Sequence, residues 1–329
     1  MKNNFVFCML VLLSSLCLSG ASATTGNAGT NSSDRAKNVR ITILSTMLAD
    51  SGIGEWGFAA LVEVDGNRVL FDTGARPETV LQNAKELNID LSLVTDVVLS
   101  HFHDDHAGGL ITLRKAMMLK NPAALSRVHV GSGIFDPRYS KDGTEDLNPM
   151  RLIRKQFEAT GGVFAVHPDA GQILPAVFLT GPVERRYDEQ NWSKEYWVAG
   201  ADGHVEDTIK EDMSMVINAG DGMIVITGCA HAGIANILAK AQQLFPDTKV
   251  HAVVGGLHLF AADEKKLEWT AKKMSEAGVQ YLLAAHCTGL EATYRLRALL
   301  DLRRETAVVA AVGSSYSNLT GIDPLDLAR

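Results

Sequence analysis

Hydrophobic and polar positions follow one rhythm in the first half of the chain and another in the second. Val39–Leu44, Phe58–Val64 and Arg68–Phe71 are short apolar-rich runs that predict strands. Asp65-Gly66 separates the last two, a hairpin signal because both residue types accept the left-handed backbone of a two-residue turn. Pro77–Leu87 then places Val80, Leu81, Ala84 and Leu87 on one helical face, and Val94–Leu99 is a short, almost wholly apolar strand. Farther on, strands and helices alternate. Met223–Thr227, Val250–Val254, Tyr281–Ala285 and Ala307–Val312 read as buried strands. Between them, Ile234, Ile237, Leu238, Ala241 and Phe245 share a helical face, and Glu264–Ala277 and Glu291–Leu300 are further helices. Hairpins early and alternation late predict two sheets packed face to face with helices outside. Residues from about 121 to 212 are irregular and read as inserted strands and loops. Their aromatics, Tyr187, Trp192, Tyr196 and Trp197, either wall a pocket or are ordinary buried rings of surface loops.

The start of the chain has a different character. Lys2, an apolar run from Phe5 to Leu18, and then Ala21-Ser22-Ala23 fit a cleaved secretory signal over residues 1–23. The run is too short for a membrane span of roughly 20 residues, so stable membrane insertion is not expected. Cys17 would serve a lipid anchor, but the bulky Leu16 before it argues against one. Residues 24–38 are polar and unpatterned and predict a flexible mature N-terminus. A single domain over 39–329 follows, with the product exported to a periplasm or the outside. Net charge is -7, or -8 once Lys2 is removed, and apolar residues make up 46%. No basic patch marks a nucleic-acid partner, which leaves a small molecule as the expected one. Oligomeric state is not encoded in any pattern here.

Chemistry gathers where strands run into glycines. Four such ends read LSHFHDDHAGGL (99–110), TGCAHAG (227–233), VVGGLHL (253–259) and AHCTG (285–289), and each carries histidine. One would be an ordinary hydrogen-bonding residue; four at the ends of neighbouring strands call for a shared partner. His101 and His103, two apart, share one side of an extended segment and can face one cation. Asp105 and His106 then offer a carboxylate and an imidazole to a second. Imidazole with carboxylate suits zinc, with manganese or iron as alternatives. Gly108 and Gly109 are expected to let the backbone bend around the site. Asp72, at a strand end, either holds the ligand loop by hydrogen bonds or is a turn or helix-cap aspartate. Ser100 lacks the strand–turn–helix setting of a nucleophilic serine.

HFHDDH is similar to the H-x-H-x-D-H signature of the metallo-β-lactamase superfamily, and FDTG resembles its preceding strand end. The four motifs together resemble the branch of dihydropterin–ribofuranosylaminobenzene-phosphate synthases and related metal-dependent hydrolases, from about Ile41 to Val312. The resemblance implies an α/β (αββα) sandwich of two mixed sheets with two divalent metal ions, zinc foremost, at the sheet edge. It implies His101, His103 and His231 around the first metal, and Asp105, His106 and His286 around the second. Most of the superfamily has a bridging aspartate where this chain reads Gly228-Cys229. Cys229 is then a ligand, a bystander or the disulfide partner of Cys287, and the second site is expected to be partly filled or weak. The implied activity is hydrolysis by metal-activated water, with Asp105 orienting and His258 contacting the substrate or leaving group; a structural His258 is the alternative. A phosphoester or cyclic phosphodiester is the first substrate expectation, a lactone or β-lactam the next. The pterin-type phosphorylated substrate of the branch sits poorly with export. Two rivals are a non-catalytic periplasmic metal-dependent small-molecule binder and an iron redox protein, the latter lacking the usual flavin domain. His129, His167, His204 and His251 carry no such motif.

Overall fold

The computed structural model describes every residue except 2–34, 193, 202 and 328–329, so the expected signal segment lies outside the described residues. Within the stretch expected to be flexible, Ala36 is buried and its N–H donates to Asn218 O at 2.8 Å. The backbone N–H groups of Lys37 and Asn38 donate to the Asp65 carboxylate, so the chain is tethered before Val39.

β1 (Val39–Ser45), β2 (Ala59–Val64) and β3 (Asn67–Phe71) form the expected antiparallel start. Asp65 and Gly66 take φ of 47° and 87° in the β2–β3 turn, the left-handed pair that matches strand twist. α1 (Thr79–Glu86) crosses to β4 (Asp96–Leu99), parallel to β3. α2 (Asp104–Ala107) and α3 (Leu110–Met118) lead to β5 (Arg127–Gly131), and α4 (Met150–Glu158) to β6 (Val163–His167). β7 (Gly171–Leu174) and β8 (Val177–Leu179) follow, then a separate ribbon of β9 (Trp197–Gly200) and β10 (Gly203–Glu206). The second half runs β11 (Met215–Ala219), β12 (Gly222–Thr227), α5 (Ile234–Leu244), β13 (Val250–Gly255), α6 (Glu264–Ala277), β14 (Tyr281–Ala284), α7 (Leu290–Leu299) and β15 (Ala307–Val309). β16 (Ser315–Ser317) and β17 (Gly321–Asp323) complete the list.

The first sheet has the order β17-β16-β1-β2-β3-β4-β5-β6 and the second β15-β14-β13-β12-β11-β8-β7. This is the expected αββα sandwich. Ile41, Ile43, Phe71 and Val98 of one sheet meet Met215, Ile217, Ile226, Val254 and Leu283 of the other. Alternate residues point outward: Leu70, Val97 and Leu99 pack under α1 and α3, and Val225, Val253 and Leu282 under α5 and α6. Both faces of the parallel strands are covered, which explains their continuous apolar runs. The 121–212 region is a less complete insertion than expected. β5 and β6 extend the first sheet and β7 and β8 edge the second. β5, RVHVG, hid itself because His129 stands at an inward position: it bonds Asp96 Oδ1 at 2.9 Å and His167 at 2.9 Å.

Candidate metal centre

Register places the chemistry. Thr227 of β12 pairs with Gly255 of β13, and Gly255 with Ala284 of β14, so three parallel strands end in a row. The residues just beyond, Cys229 with His231, His258, and His286 with Cys287, therefore leave the sheet side by side. The opposing sheet delivers His101 to His106 from the end of β4, and Met213 N donates to Ser100 O at 3.0 Å to tie the sheets there. Gly228 stands at the closest approach. A Cβ on it would fall 2.1 Å from Ser100 Oγ and 2.7 Å from Asp72 Oδ2, so a side chain is excluded. Gly108 and Gly109 do not bend the chain as expected: their φ values, -62° and -82°, are helical. Instead a Cβ would meet Ala75 O at 1.9 Å and Thr73 O at 2.2 Å; these glycines permit close packing of the ligand loop.

Asp72 is fully buried. Its Oδ1 accepts from Ser100 N (2.7 Å), while Oδ2 accepts from Ser100 Oγ (2.8 Å) and lies 2.7 Å from His106 Nδ1. That contact commits Nδ1 of His106 to the carboxylate and turns Nε2 toward the cluster. α1 begins only at Thr79, so Asp72 caps no helix. His101 lies in a bend, His103 is extended, and α2 supplies Asp105 and His106 from one helical turn. His101 Nε2 lies 3.0 Å from His103 Nδ1. His286 Nε2 lies 3.2 Å from Asp105 Oδ2, and His106 Nε2 is 3.7 Å from Asp105 Oδ1. His231 Nδ1 is held by the carbonyl of Asn191 at 2.5 Å. Asp72, Ala230, His258 and His286 have φ of 56°, 55°, 52° and 48°. Left-handed backbone costs such residues roughly 1–2 kcal/mol each and persists where the surrounding structure over-determines it.

The donor set fits divalent cations. His103 Nε2, His231 Nε2 and His286 Nδ1 are buried without a hydrogen-bond partner, and His286 Nε2 has only the off-line Asp105 carboxylate at 3.2 Å, an arrangement that costs stability unless something else satisfies it. Four groups have ligand atoms within 4.8 Å of one another: His101–His103–Asp105, His101–Cys229–His231, His106–Cys229–His286 and Cys229–His258–Cys287. Each is close enough to serve one cation. Burial, then the neighbouring imidazoles, holds His101 well below the ordinary range, and His231 likewise. Burial, only partly opposed by Asp105, brings His103 down to about 3. Neutral imidazole is the ligating form. His106 differs: against its burial, Asp105 and Asp72 push it up to about 9.

Cys229 Sγ is 3.1 Å from His106 Nε2 and 3.2 Å from Cys287 Sγ, and both thiols are free. A disulfide needs about 2.05 Å, so that alternative is not the state observed. His258 lies on the pocket wall, its ring 4.7 Å from that of His231 and its Nδ1 buried without a partner. The pocket encloses about 320 Å³. His103, Asp105, His231 and His286 form its floor; Trp56, Phe260, Tyr196, Asp104 and Glu195 form its outer walls. Of the expected aromatics only Tyr196 lines it. Trp192 instead donates to Glu206 and Tyr187 packs edge-on to Trp269. Trp56, Phe260, Glu195 and Asn191 escaped the sequence reading because no local pattern surrounds them.

Residues 57–129 match the family described as the metallo-beta-lactamase superfamily. A 7,8-dihydropterin-6-methyl-4-(beta-D-ribofuranosyl)-aminobenzene-5'-phosphate synthase of Methanocaldococcus jannaschii is 30% identical over 272 residues, 78% of this chain and 90% of that protein. Among solved structures, Tm1679, a metal-dependent hydrolase of the beta-lactamase superfamily, aligns with a TM-score of 0.64 and 30% identity over 80% of this chain and 93% of its own. Zn(2+)-bound PqqB from Methylobacterium extorquens shares the fold at a TM-score of 0.50 and 14% identity, covering 84% and 99% of the two chains.

Proposed function

Because this chain belongs to the metallo-β-lactamase superfamily, in the branch that includes the methanogen synthase, we propose that it is a metal-dependent hydrolase of small ester-type substrates. The observation that carries this reading is the set of buried, unpartnered imidazole nitrogens facing one pocket. As the family resemblance implies, His101, His103 and His231 would hold one divalent cation, zinc foremost, and Asp105, His106 and His286 a second; Cys229 lies within 4.8 Å of His101 and His231 and of His106 and His286, while Asp105 groups with His101 and His103. Such cations supply Lewis acidity, activating water and polarising the bond to be broken. The chain's own part is positional. Asp72 and Asn191 fix the tautomers of His106 and His231, and Asp105 presents a carboxylate to the pocket floor. His258 stands on the wall, where it can pass a proton to a leaving group.

Among the described residues lining the pocket there is no arginine or lysine. The charge of a phosphoester would instead be met by the cations themselves, so a phosphoester or cyclic phosphodiester is the first reading and a lactone or β-lactam the second. The test is metal-resolved hydrolysis. Purified protein should carry between one and two equivalents of zinc, manganese or iron, and chelation should remove metal and activity toward bis-aryl phosphodiesters or lactones together. Metal that binds with no turnover across both panels would favour the non-catalytic binder, and full activity after complete chelation would end the metalloenzyme reading.

A further inference from the structure

The mouth of the pocket is built from two unlike walls. Trp56, from the β1–β2 connection, is 48% exposed, and Phe260, just past β13, is 53% exposed. Their rings meet edge to face at 5.6 Å, and Trp56 also packs against His286 at 5.0 Å. Large aromatics left this open, and braced from two separate loops, are docking surface rather than core. Asp104, Glu195 and Tyr196 line the same pocket. Asp104 is one residue from Asp105, yet it joins none of the convergent donor groups. The negative field extends to Tyr196: burial, then Glu195, Asp104 and Asp105, holds its hydroxyl above the ordinary range. Buried histidine nitrogens without partners point into the same space from below, so the carboxylates border a site and are not merely a solvated surface.

We infer that these walls select the non-reacting part of the substrate: a flat ring that carries positive charge, stacked on one of the perpendicular Trp56 and Phe260 rings and meeting the other edge-on, with its charge toward Asp104 and Glu195. A ring face attracts a cation by roughly 0.5–2 kcal/mol depending on desolvation, and two carboxylates in the same pocket add to the preference while salt screens it. An anionic group at the same place would meet both carboxylates without a compensating base. The inference deepens the hydrolase reading by naming a substrate class, but the walls should discriminate whether or not the floor is catalytic.

The experiment therefore reads binding first. The full chain, zinc-loaded and chelated in parallel, is titrated with benzyltrimethylammonium, its uncharged isostere neopentylbenzene and phenylmethanesulfonate, followed by tryptophan fluorescence and calorimetry. Expected is the order cation, neutral, anion, with at least about tenfold between the first and last, shrinking at high salt. Trp56→Ala should weaken the cationic and neutral probes. Glu195→Gln with Asp104→Asn should level the charge ranking while leaving metal content unchanged. Sulfonate binding as tight as the cation, a ranking that survives the double variant, or no binding of the cation would each overturn the assignment. Matched esters bearing the same three groups then test turnover. A charge ranking without turnover keeps the walls and removes the hydrolase; turnover without a ranking does the reverse.

Discussion

Cys229 is the residue on which three donor groups converge, through His101 and His231, through His106 and His286, and through His258 and Cys287. Serine there would keep the size but replace a soft donor with a poor one. Cys229→Ser should weaken zinc binding by about tenfold or more, read by competition with a chromogenic chelator; unchanged affinity would make the thiol a bystander. A second residue reports through pH. Glu189 is buried at the start of α5, where Oε2 accepts from Asn236 N at 3.0 Å and Oε1 has no partner. Burial, partly opposed by backbone N–H groups, pushes its carboxyl up to about 7. Folding thus favours the protonated form, and the stability it gives is fully present below about pH 4.5 and lost as pH rises through 7. Glu189→Gln, which mimics that form, should match the wild type near pH 4.5. It should unfold up to about 3 kcal/mol later near pH 8; equal denaturation midpoints at both pH values would refute this. The histidines could be named from the sequence because their spacing is itself the signal. Asn191 could not, since its carbonyl reaches His231 across 40 residues of chain and any residue has a carbonyl.

Elements were legible in proportion to how local their causes are. α6 was read at its true ends, Glu264–Ala277, because Asp263 accepts from Lys266 N at 2.8 Å and Gly278 takes φ of 96° just past the last turn. These start and stop signals stand next to the helix in sequence. β16 and β17 carried no such pattern, because three residues are too few for a period. That the ends of β12, β13 and β14 share an edge was expected from the histidines that follow them, but their residue-by-residue pairing could not be read, since register is fixed by sheet pairing rather than by any strand alone. Yet that register makes the site. Gly228 tests it: Gly228→Ala should push the end of β12 away from Ser100 and Asp72. The expected cost is about 3 kcal/mol of stability, with weaker metal binding. A chemical-denaturation midpoint equal to that of the wild type would show that the strand ends tolerate separation.

Taken whole, the molecule is two sheets whose inner faces meet in one core and whose strand ends share one cluster of donors. Ligand binding to the folded state alone adds stability by mass action, about 2.7 kcal/mol at a hundredfold excess over Kd. Chelation should therefore lower the melting temperature of the zinc-loaded protein by roughly 5–10 °C, and calorimetry showing no shift would mean the donors are empty or idle in the native fold. Among the described residues no helix is long and apolar enough to cross a membrane. From Lys2, the apolar run Phe5–Leu18 and Ala21-Ser22-Ala23 we propose that the protein works outside the cytoplasm after losing residues 1–23. The pairing of β1 with β16, Arg40 opposite Ser317, bears on how such a chain is made. The first strand to leave the ribosome must wait for almost the last before it gains that neighbour, and His101 must wait for His286. Nascent chains stalled before residue 280 should remain protease-sensitive and retain zinc poorly, because β14, β15, β16 and His286 are still missing and the sheets that align the earlier ligands cannot close.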